Sequence, residues 1–346
     1  MQDIIEHMKQ ESLNSVGGQI IVTIVSILVL IFVTCKILEP SFSYKGKHVL
    51  VTGGSAGIGF ELAKSYLSKG ANVSIIARNK QKLADAQKSL QTHCKGDQKV
   101  LYASVDVSSS LEGISKSLKP LTDDLGDVDV LVNNAGTSSA GTFEETDSSE
   151  FQHLFNTNVI GSVNVTKALL AGMKKKDSGR IVFISSQVAM VALHGYSAYA
   201  ASKWALRGIA EALQMEVKPW NILVSVAYPP DTDTPGYEVE MQSKPELTKK
   251  LSESGSVFSA KDVANDIVEG SAKGVYNIST GLDGWMLKQL HPGMSPVNNL
   301  WDVFQPILFS PLCRSISIVY VAVWNSICLA DRKEQELKQR GDKKSK

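Results

Sequence analysis

A regular alternation of two kinds of segment, running from residue 45 to about residue 290, constrains the fold of this chain most. Segments of one kind are short, rich in Val and Ile, and mostly apolar, as strands are when both faces of a sheet are covered. The segments between them, such as 60–67 and 200–217, carry apolar residues at helical spacing. This alternation predicts one α/β domain over 45–290, with a doubly wound parallel sheet and helices on both faces. The predicted strands are 48–52, 72–77, 100–105, 128–132, 180–185 and 221–227.

The composition of the chain allows a large folded domain and argues against nucleic acid, metal ions and disulfides. Of its 346 residues, 43% are hydrophobic and 21% charged, which allows a large core. The net charge is +1, so no overall field attracts nucleic acid and no such partner is expected. The four cysteines are far apart and no histidine lies at ligand spacing, so neither a metal site nor a disulfide framework is expected. Scattered thiols suit a reducing compartment.

Residues 16–38, which follow a tail of residues 1–15, have the length and composition of a membrane anchor. From residue 16 to residue 35 no side chain is charged, and a helix of that length spans the roughly 30 Å hydrocarbon core of a bilayer. A cleaved signal peptide is one alternative, but the preceding region is acidic and no small-residue cleavage site follows. The other alternative, a buried soluble helix, would rarely be apolar on all sides at this length. We therefore predict a transmembrane helix.

The charges beside this segment predict its orientation. Lys9 is the only Lys or Arg before it, whereas Lys36, Lys45 and Lys47 follow closely. Because basic residues favour the cytosolic side, the body of the protein is expected in the cytosol. The last four residues, 343–346, resemble the dilysine retrieval signal of endoplasmic reticulum membrane proteins, although they could be a plain basic tail. The expected location is therefore the endoplasmic reticulum membrane, with the folded domain facing the cytosol.

A second apolar segment, residues 300–330, follows the α/β domain. Its first part is broken by Pro306 and Pro311, and an apolar run of about fifteen residues, 316–330, follows Arg314. That run is short for a full span, which favours a membrane hairpin or a segment in the plane of the membrane. The alternative is a helix packed on the domain or in the interface of a homo-oligomer. The charged tail, 331–346, is predicted to be disordered on the cytosolic side.

A glycine-rich sequence joins the first predicted strand to the following helix and indicates a dinucleotide site on a Rossmann-type sheet. Gly53 permits a tight turn, Gly57 lets backbone N–H groups approach a pyrophosphate, and Gly59 lets the helix pack close to the sheet. The pyrophosphate would lie at the helix N-terminus, where the helix dipole favours negative charge. The strand before and the helix after are the context that this motif requires. The other predicted contacts in this loop are Ser55, Ala56 and Ile58.

The end of the second predicted strand distinguishes NAD from NADP. An acidic residue there would bind the ribose 2′-hydroxyl of NAD, but the sequence has Arg78, whose guanidinium can pair with a 2′-phosphate. Lys82 lies four residues further on and would share a helical face with Arg78, and the Ser55 hydroxyl could add a donor. The predicted cofactor is therefore NADPH/NADP+. The alternative is that both basic residues are surface charges at a helix start.

Three further residues are candidate cofactor contacts. Asp106 follows the third strand, and its carboxylate could accept a hydrogen bond from the adenine amino group. Asn134 ends the fourth strand, at the edge where a parallel sheet opens to its ligand. Pro229 lies in a proline-rich turn after the sixth strand, and the polar stretch from there to about residue 258 is a predicted lid over the substrate. Asp106 and Asn134 could instead be only cap or turn residues.

Tyr199 and Lys203 are the central pair of the sequence. Four residues apart on a helix, they lie one above the other. A phenol titrates near pH 10 and a neighbouring ammonium favours phenolate, so the pair predicts a tunable proton donor for a carbonyl that receives hydride. Ser186, at a strand end, could hold the carbonyl oxygen, although Ser185 is adjacent. Asn158, on the helix after the fourth strand, could carry a water chain from Lys203.

In chain order, the glycine loop, the asparagine at the end of the fourth strand and these catalytic candidates resemble the short-chain dehydrogenase/reductase family over about 240 residues. The resemblance implies a single Rossmann domain, usually of seven strands, and a catalytic tetrad of Asn158, Ser186, Tyr199 and Lys203. Segments 211–219 and 226–236, together with the apolar ends, resemble the branch of the family that acts on long-chain sphingoid ketones. That branch implies reduction of 3-dehydrosphinganine to sphinganine with NADPH, by an anchored enzyme that takes its substrate from the lipid bilayer.

Three other interpretations stay open from the sequence alone. A microsomal steroid or retinoid dehydrogenase would have the same tetrad and anchor. A non-catalytic NADPH-binding scaffold on the membrane would not need Tyr199. A luminal protein could be glycosylated at Asn72, Asn164 or Asn277, which match the acceptor pattern, although the first two fall in a predicted strand and a predicted helix.

Overall fold

The computed structural model of this protein describes residues 6, 16–37, 41–252, 255–298 and 300–344. Its strands are β1 (His48–Thr52), β2 (Asn72–Ala77), β3 (Val100–Ser104), β4 (Val130–Asn133), β5 (Gly179–Ile184), β6 (Ile222–Tyr228), β7 (Thr232–Asp233), β8 (Phe258–Ser259) and β9 (Asn277–Ser279). The six predicted strands are confirmed, each within two residues of its predicted bounds. The short strands β7 and β8 pair with each other beside the main sheet.

The helices alternate with these strands as predicted. They are α1 (Val16–Ile37), α2 (Gly57–Ser68), α3 (Lys80–Gln91), α4 (Leu111–Leu125), α5 (Ser148–Leu154), α6 (Gly161–Lys175), α7 (Ser197–Val217), α8 (Pro235–Ser243), α9 (Glu246–Ser252), α10 (Ala260–Ala272), α11 (Gly281–Leu290) and α12 (Trp301–Lys344). A single π-helical turn, Phe155–Ile160, joins α5 to α6. Two short 3₁₀ turns lie at Gln187–Ala189 and Lys218–Trp220.

The main sheet is entirely parallel, with strand order β3-β2-β1-β4-β5-β6-β9. Adjacent side chains of β1 pack into different cores, with Val49 and Val51 on one side of the sheet and Leu50 on the other. All three are fully buried, which explains why the strands are apolar throughout instead of alternating. Each fully buried side chain of this size stabilises the fold by about 1.5–3 kcal/mol.

The strand order reverses between β1 and β4, and this reversal positions the candidate site. In an open parallel sheet the crevice for a ligand lies beyond the carboxyl ends of the strands at such a reversal. The glycine loop follows β1 and Asn134 follows β4, so the two flank the crevice. The structure confirms the predicted doubly wound Rossmann-type sheet.

Helix α1 extends over the predicted anchor. Its apolar side chains are exposed, with Leu30 at 66% and Ile21 at 63% accessibility. By length and composition, α1 and α12 are the two helices among the described residues that could cross a membrane. They meet where the rings of Phe32 and Trp301 pack edge to face, with centroids 5.1 Å apart.

The C-terminal segment differs from the sequence prediction in two ways. Of the alternatives left open for residues 300–330, the hairpin is wrong, because α12 continues as one helix through Pro306 and Pro311, and the helix packed on the domain is present, because α12 packs against α11. The predicted disorder from residue 331 is also wrong for the residues described there, since α12 continues to Lys344. Side-chain pairs four residues apart, such as Arg332 with Glu336 at 2.9 Å, support the helix in this charged stretch.

Three sequence predictions fall partly outside the described residues. The tail of residues 1–15 is described only at residue 6, and the predicted anchor ends one residue beyond the described part of α1. The C-terminal basic sequence includes residues 345–346, which are also outside. The retrieval signal therefore stays a prediction.

Candidate active site

A cavity of about 470 Å³ opens at the carboxyl ends of β4, β5 and β6. Residues from separate elements meet in its wall, which is the arrangement expected of a site built at a sheet edge. The predicted site residues that line it are Ile58, Asn134, Ser186, Tyr199, Lys203 and Pro229. Pro229 is buried, and its carbonyl accepts a hydrogen bond from the Gln187 N–H at 3.0 Å, which fixes the turn after β6.

Tyr199 and Lys203 lie one turn apart on α7, as the spacing predicts. The Lys203 Nζ lies 5.7 Å from the centroid of the Tyr199 ring. That ammonium is buried and donates a hydrogen bond to the Ile184 carbonyl at 2.9 Å. Burial lowers the pKa of Lys203 to about 8, so its charge can be lost near physiological pH.

The pKa of Tyr199 differs from the sequence expectation. Lys203 was predicted to lower it, but the net shift in the structure is upward. Burial is the main cause, and the carboxylates of Glu240 and Asp231 add to it, whereas Ser186 acts in the opposite direction. A phenol is protonated at neutral pH with or without this shift, and the higher pKa makes it a weaker acid unless a nearby positive charge favours the phenolate.

The two adjacent serines point to different partners. The Ser185 hydroxyl is buried and donates to the Lys203 carbonyl at 3.0 Å, so it ties β5 to α7. The Ser186 side chain lies in the cavity wall, close enough to the Tyr199 phenol to lower its pKa. The geometry therefore favours Ser186 as the serine that acts with Tyr199.

Asn158 lies in the π-helical turn, not in a regular helix as predicted. Such single π-helical turns are frequent at functional sites. Its side chain accepts from the Thr137 N–H at 2.9 Å, and donates to the Thr137 carbonyl at 3.0 Å and to the Ser202 hydroxyl at 2.9 Å. A Cβ atom on Gly136 would lie 2.9 Å from the Asn158 Oδ1 and 3.4 Å from the Lys203 Nζ. Asn158 and Lys203 therefore converge on the same short stretch of backbone after β4.

The glycine loop has the backbone geometry that a pyrophosphate site requires. Gly53 and Gly57 have φ values of +67° and +54°, which residues with a Cβ rarely adopt. The helix α2 begins after Ala56, and no side chain caps its first N–H groups. Those unpaired donors, with the half-buried Ser55 beside them, are available to an anion.

Arg78 and Lys82 are both exposed, as a phosphate site needs, but their predicted relation is wrong. The Asn79 side chain accepts from the Lys82 N–H at 2.9 Å and caps α3, so Arg78 precedes the helix and does not share a helical face with Lys82. The Asp106 carboxylate lies near enough to Arg78 for the guanidinium to contribute to the lowered pKa of that acid.

Asp106 and Asn134 both form local hydrogen bonds that the sequence left open as an alternative. The Asp106 Oδ1 accepts from the Ser108 N–H at 2.9 Å and the Ser108 hydroxyl at 2.7 Å, and these bonds are the main cause of its lowered pKa. The Asn134 Nδ2 donates to the Thr52 carbonyl at 2.9 Å, which ties the end of β4 to the glycine loop. A direct contact of either residue with a cofactor stays a prediction.

Comparison with known proteins identifies the family. A sequence model described as short chain dehydrogenase matches residues 47–244. The chain belongs to the short-chain dehydrogenase family. Among the relatives of this dehydrogenase are the 3-ketodihydrosphingosine reductase of Bos taurus, 43% identical over 88% of this chain and 92% of the relative, and the 3-dehydrosphinganine reductase of Danio rerio, 42% identical over 90% and 95%.

Solved structures support the same fold. A levodione reductase matches this dehydrogenase with a TM-score of 0.63 and 23% identity, over 70% of this chain and 98% of the other. An NAD+-bound xylitol dehydrogenase matches with a TM-score of 0.62 and 22% identity, over 69% and 98%. About three tenths of this dehydrogenase lies outside these matches.

Sequence reasoning did not predict that two carboxylates, Asp231 and Glu240, lie beside Tyr199. Asp231 and Glu240 line the cavity and raise the pKa of Tyr199. The Tyr196 hydroxyl donates to the Glu240 carboxylate, and the buried Lys244 ammonium lies 3.5 Å from the Asp231 carboxylate. Only Asp231 lies in the proline-rich turn that the sequence had marked as polar, and no motif drew attention to Glu240 on α8.

The glycine geometry gives a direct test of the loop. A Cβ on Gly59 would lie 2.3 Å from the Gly53 carbonyl oxygen, so Gly59→Ala must push α2 away from the loop. We expect the Kd for a reduced nicotinamide cofactor, measured by fluorescence titration, to rise by about tenfold or more, since overpacking costs about 1–3 kcal/mol. The control is Gly208→Ala on α7, where nothing lies within 4 Å of the new Cβ. Unchanged binding in Gly59→Ala would show that the loop does not hold the cofactor.

Proposed function

We propose that this short-chain dehydrogenase reduces the ketone of 3-dehydrosphinganine to the alcohol of sphinganine, with NADPH as the reductant, in sphingolipid synthesis. One observation carries the proposal: the polar cavity at Tyr199 adjoins an apolar cavity of about 340 Å³, and Ser186 and Tyr196 line both. A polar site beside an apolar cavity suits a ketone carried on a long alkyl chain. It agrees with the reductase names of relatives that are 41–43% identical over about nine tenths of this chain.

Each residue of the site has its own role in proton transfer. Tyr199, which is protonated at neutral pH as phenols are, donates its proton to the ketone oxygen, and Ser186 holds that oxygen by a hydrogen bond. Lys203 then stabilises the phenolate that is left, because an ammonium favours the charged form of the phenol. Asn158 holds the backbone beside Lys203 and supports a water chain for the return of the proton. The cofactor, when bound, supplies the hydride.

The residues present fit a nicotinamide dinucleotide with a 2′-phosphate. The cradle at Gly53, Gly57 and Gly59 has no room for side chains, and the uncapped N-terminus of α2 offers donors to a pyrophosphate. Arg78 stands at the end of β2 in place of the acid that would favour NAD. Lys82 and Ser55 are additional donors for the phosphate in this proposal.

We expect Lys203 to set the pH dependence of the reaction. Because its pKa is about 8 while that of Tyr199 is raised, Lys203 loses its charge before the phenol does. The kcat/KM for the ketone should be level below pH 8 and fall as pH rises above it. The free energy of unfolding should instead rise with pH above pH 8. The pKa of Lys203 in the folded protein lies below its value of about 10.4 in the unfolded chain, so between these two values the unfolded chain binds more protons than the folded protein.

A pH–rate profile with saturating NADPH measures this dependence. Thermal unfolding over the same pH range, compared between the wild type and Lys203→Met, separates the two effects, because only the wild type should gain stability from Lys203 above pH 8. A profile that stays level through pH 9 would exclude Lys203 as the group whose charge supports the reaction.

In this proposal, α1 anchors the protein in the endoplasmic reticulum membrane, and the catalytic domain faces the cytosol. The basic residues that follow α1 support this orientation. The side chains of the three possible glycosylation sites also support it, because Asn72, Asn164 and Asn277 lie within β2, α6 and β9 and each makes a hydrogen bond inside the domain. A mass shift on glycosidase treatment would contradict it.

The experiment that tests the function uses the full chain, purified in detergent. It is incubated with 3-dehydrosphinganine and either NADPH or NADH, and sphinganine is measured by mass spectrometry. We expect NADPH-dependent sphinganine. Turnover of a steroid or retinoid ketone in place of the sphingoid ketone would contradict the proposed substrate.

A further inference from the structure

We propose that α12 forms the outer wall of a channel for the alkyl chain of the substrate, so that the C-terminal helix belongs to the substrate site. The inference rests on the proposed function for the identity of the chain. It differs from an anchor role, in which the helix would only hold the domain at the membrane.

The apolar cavity runs from the catalytic residues to α12. Its inner end is lined by Ser186, Tyr196 and Pro229, which also line the polar cavity. Its middle is lined by apolar residues that include Met190 and Leu287. Its outer end is lined by the α12 residues Arg314, Ser317, Tyr320, Val321 and Trp324. A chain that starts at the ketone therefore has one continuous apolar path, and that path ends against α12.

Both ends of the apolar part of α12, residues 303–330, lie beside the same domain. At its start, the Asp302 carboxylate lies 2.8 Å from the Lys288 ammonium. At its other end, the Lys250 ammonium lies 3.7 Å from the Asp331 carboxylate. These acids are 29 residues apart, or about 44 Å along a helix. An apolar stretch that contacts one domain at both of its ends fits a place along a bilayer better than one across it.

The face of α12 turned away from the cavity is apolar and exposed. It presents Ile307, Leu312, Ile318, Val319 and Leu329, each between 58% and 67% accessible. Successive residues of a helix are about 100° apart, which puts these positions on the side opposite Ser317, Tyr320 and Trp324. An apolar face of this extent fits a lipid surface. The channel is then bordered by the bilayer, and a chain can enter it sideways from the lipid.

Two neighbouring valines test the channel. Val321 lines the cavity, whereas Val319 lies on the exposed face two residues away. Val321→Trp should fill the channel, and Val319→Trp should only enlarge the lipid-facing side. Each variant is assayed in detergent with NADPH on an 18-carbon 2-amino-3-ketone and its 8-carbon counterpart. The ratio of kcat/KM for the long ketone to that for the short one should fall about tenfold or more in Val321→Trp and stay within about twofold in Val319→Trp.

A labelling experiment gives a second readout that does not need turnover. Octadecylamine with a diazirine at the far end of its chain is irradiated with the full chain, and labelled peptides are identified by mass spectrometry. We expect label on α12 between residues 314 and 324 in the wild type and in Val319→Trp, and its loss in Val321→Trp.

The outcomes separate the channel from the proposed reaction. If the wild type reduces neither ketone but labels α12 as expected, the proposed function fails and the channel stands. If the ketones are reduced but the chain-length ratio is the same in both variants, or the label lies elsewhere, the channel is overturned and the reaction stands. An equal fall of the chain-length ratio in both valine variants also overturns the channel, because such a result would indicate a distorted helix.

Discussion

Tyr199→Phe is expected to lower kcat for ketone reduction by about 10²–10⁴-fold, the usual contribution of a positioned proton donor. The substitution removes only the phenol oxygen, which lies beside Ser186, a residue that lines both cavities. The Kd for NADPH should stay within about twofold, because the glycine loop is untouched. Stopped-flow absorbance at the NADPH band gives kcat, and fluorescence titration gives the Kd.

Tyr196→Phe is the matched control for this prediction. Tyr196 precedes α7, its ring centroid lies 6.0 Å from that of Tyr199, and its hydroxyl bonds Glu240. Its loss should reduce kcat by less than about tenfold, since it leaves the Tyr199 hydroxyl and Ser186 in place. Equal effects of the two substitutions would contradict a special role for Tyr199. Full cellular function of Tyr199→Phe would favour a non-catalytic NADPH-binding scaffold.

Arg78→Ala is expected to have the second largest effect, and on one cofactor only. A hydrogen bond between charged groups contributes about 1.5–3 kcal/mol, so losing a guanidinium from a 2′-phosphate should raise the KM for NADPH by about 10–150-fold. The KM for NADH should change by less than about twofold, because NADH has no 2′-phosphate. Initial rates with each cofactor measure the difference.

Lys80→Ala is the control for the charge itself. Lys80 is exposed at the first position of α3, two residues from Arg78. The Lys80→Ala substitution should weaken NADPH binding only slightly, because it removes a positive charge near the site without removing a direct contact. If Arg78→Ala raised the KM for NADPH and the KM for NADH by the same factor, the proposal that Arg78 binds the 2′-phosphate would be wrong.

The elements that the sequence predicts well are those set by local pattern. The apolar runs at β1 and β2 and the glycines after β1 are local features, and the structure has each of them where expected. The spacing of Tyr199 and Lys203 is also local, and it gives their relative position on α7. Strand β9 was missed because three residues are too short for a pattern, and only its pairing with β6 defines it.

The features that the sequence did not predict depend on contacts between distant segments. The raised pKa of Tyr199 comes from burial and from carboxylates 32 and 41 residues further along the chain. The helix α12 contacts Lys288 and Lys250, which come from two distant segments, whereas its two prolines alone suggested a break. The place of Arg78 before α3 depends on a single side-chain cap by Asn79.

The most direct test of the proposed chemistry follows the transferred hydrogen. Purified wild-type protein is incubated with 3-dehydrosphinganine and NADPH that carries two deuterium atoms at C4 of the nicotinamide, and the sphinganine formed is examined by mass spectrometry. We predict one deuterium at C3 of sphinganine, and a rate of product formation that falls by about 10²–10⁴-fold in Tyr199→Phe. Sphinganine without deuterium, or equal rates in the two proteins, would contradict hydride transfer assisted by a proton from Tyr199.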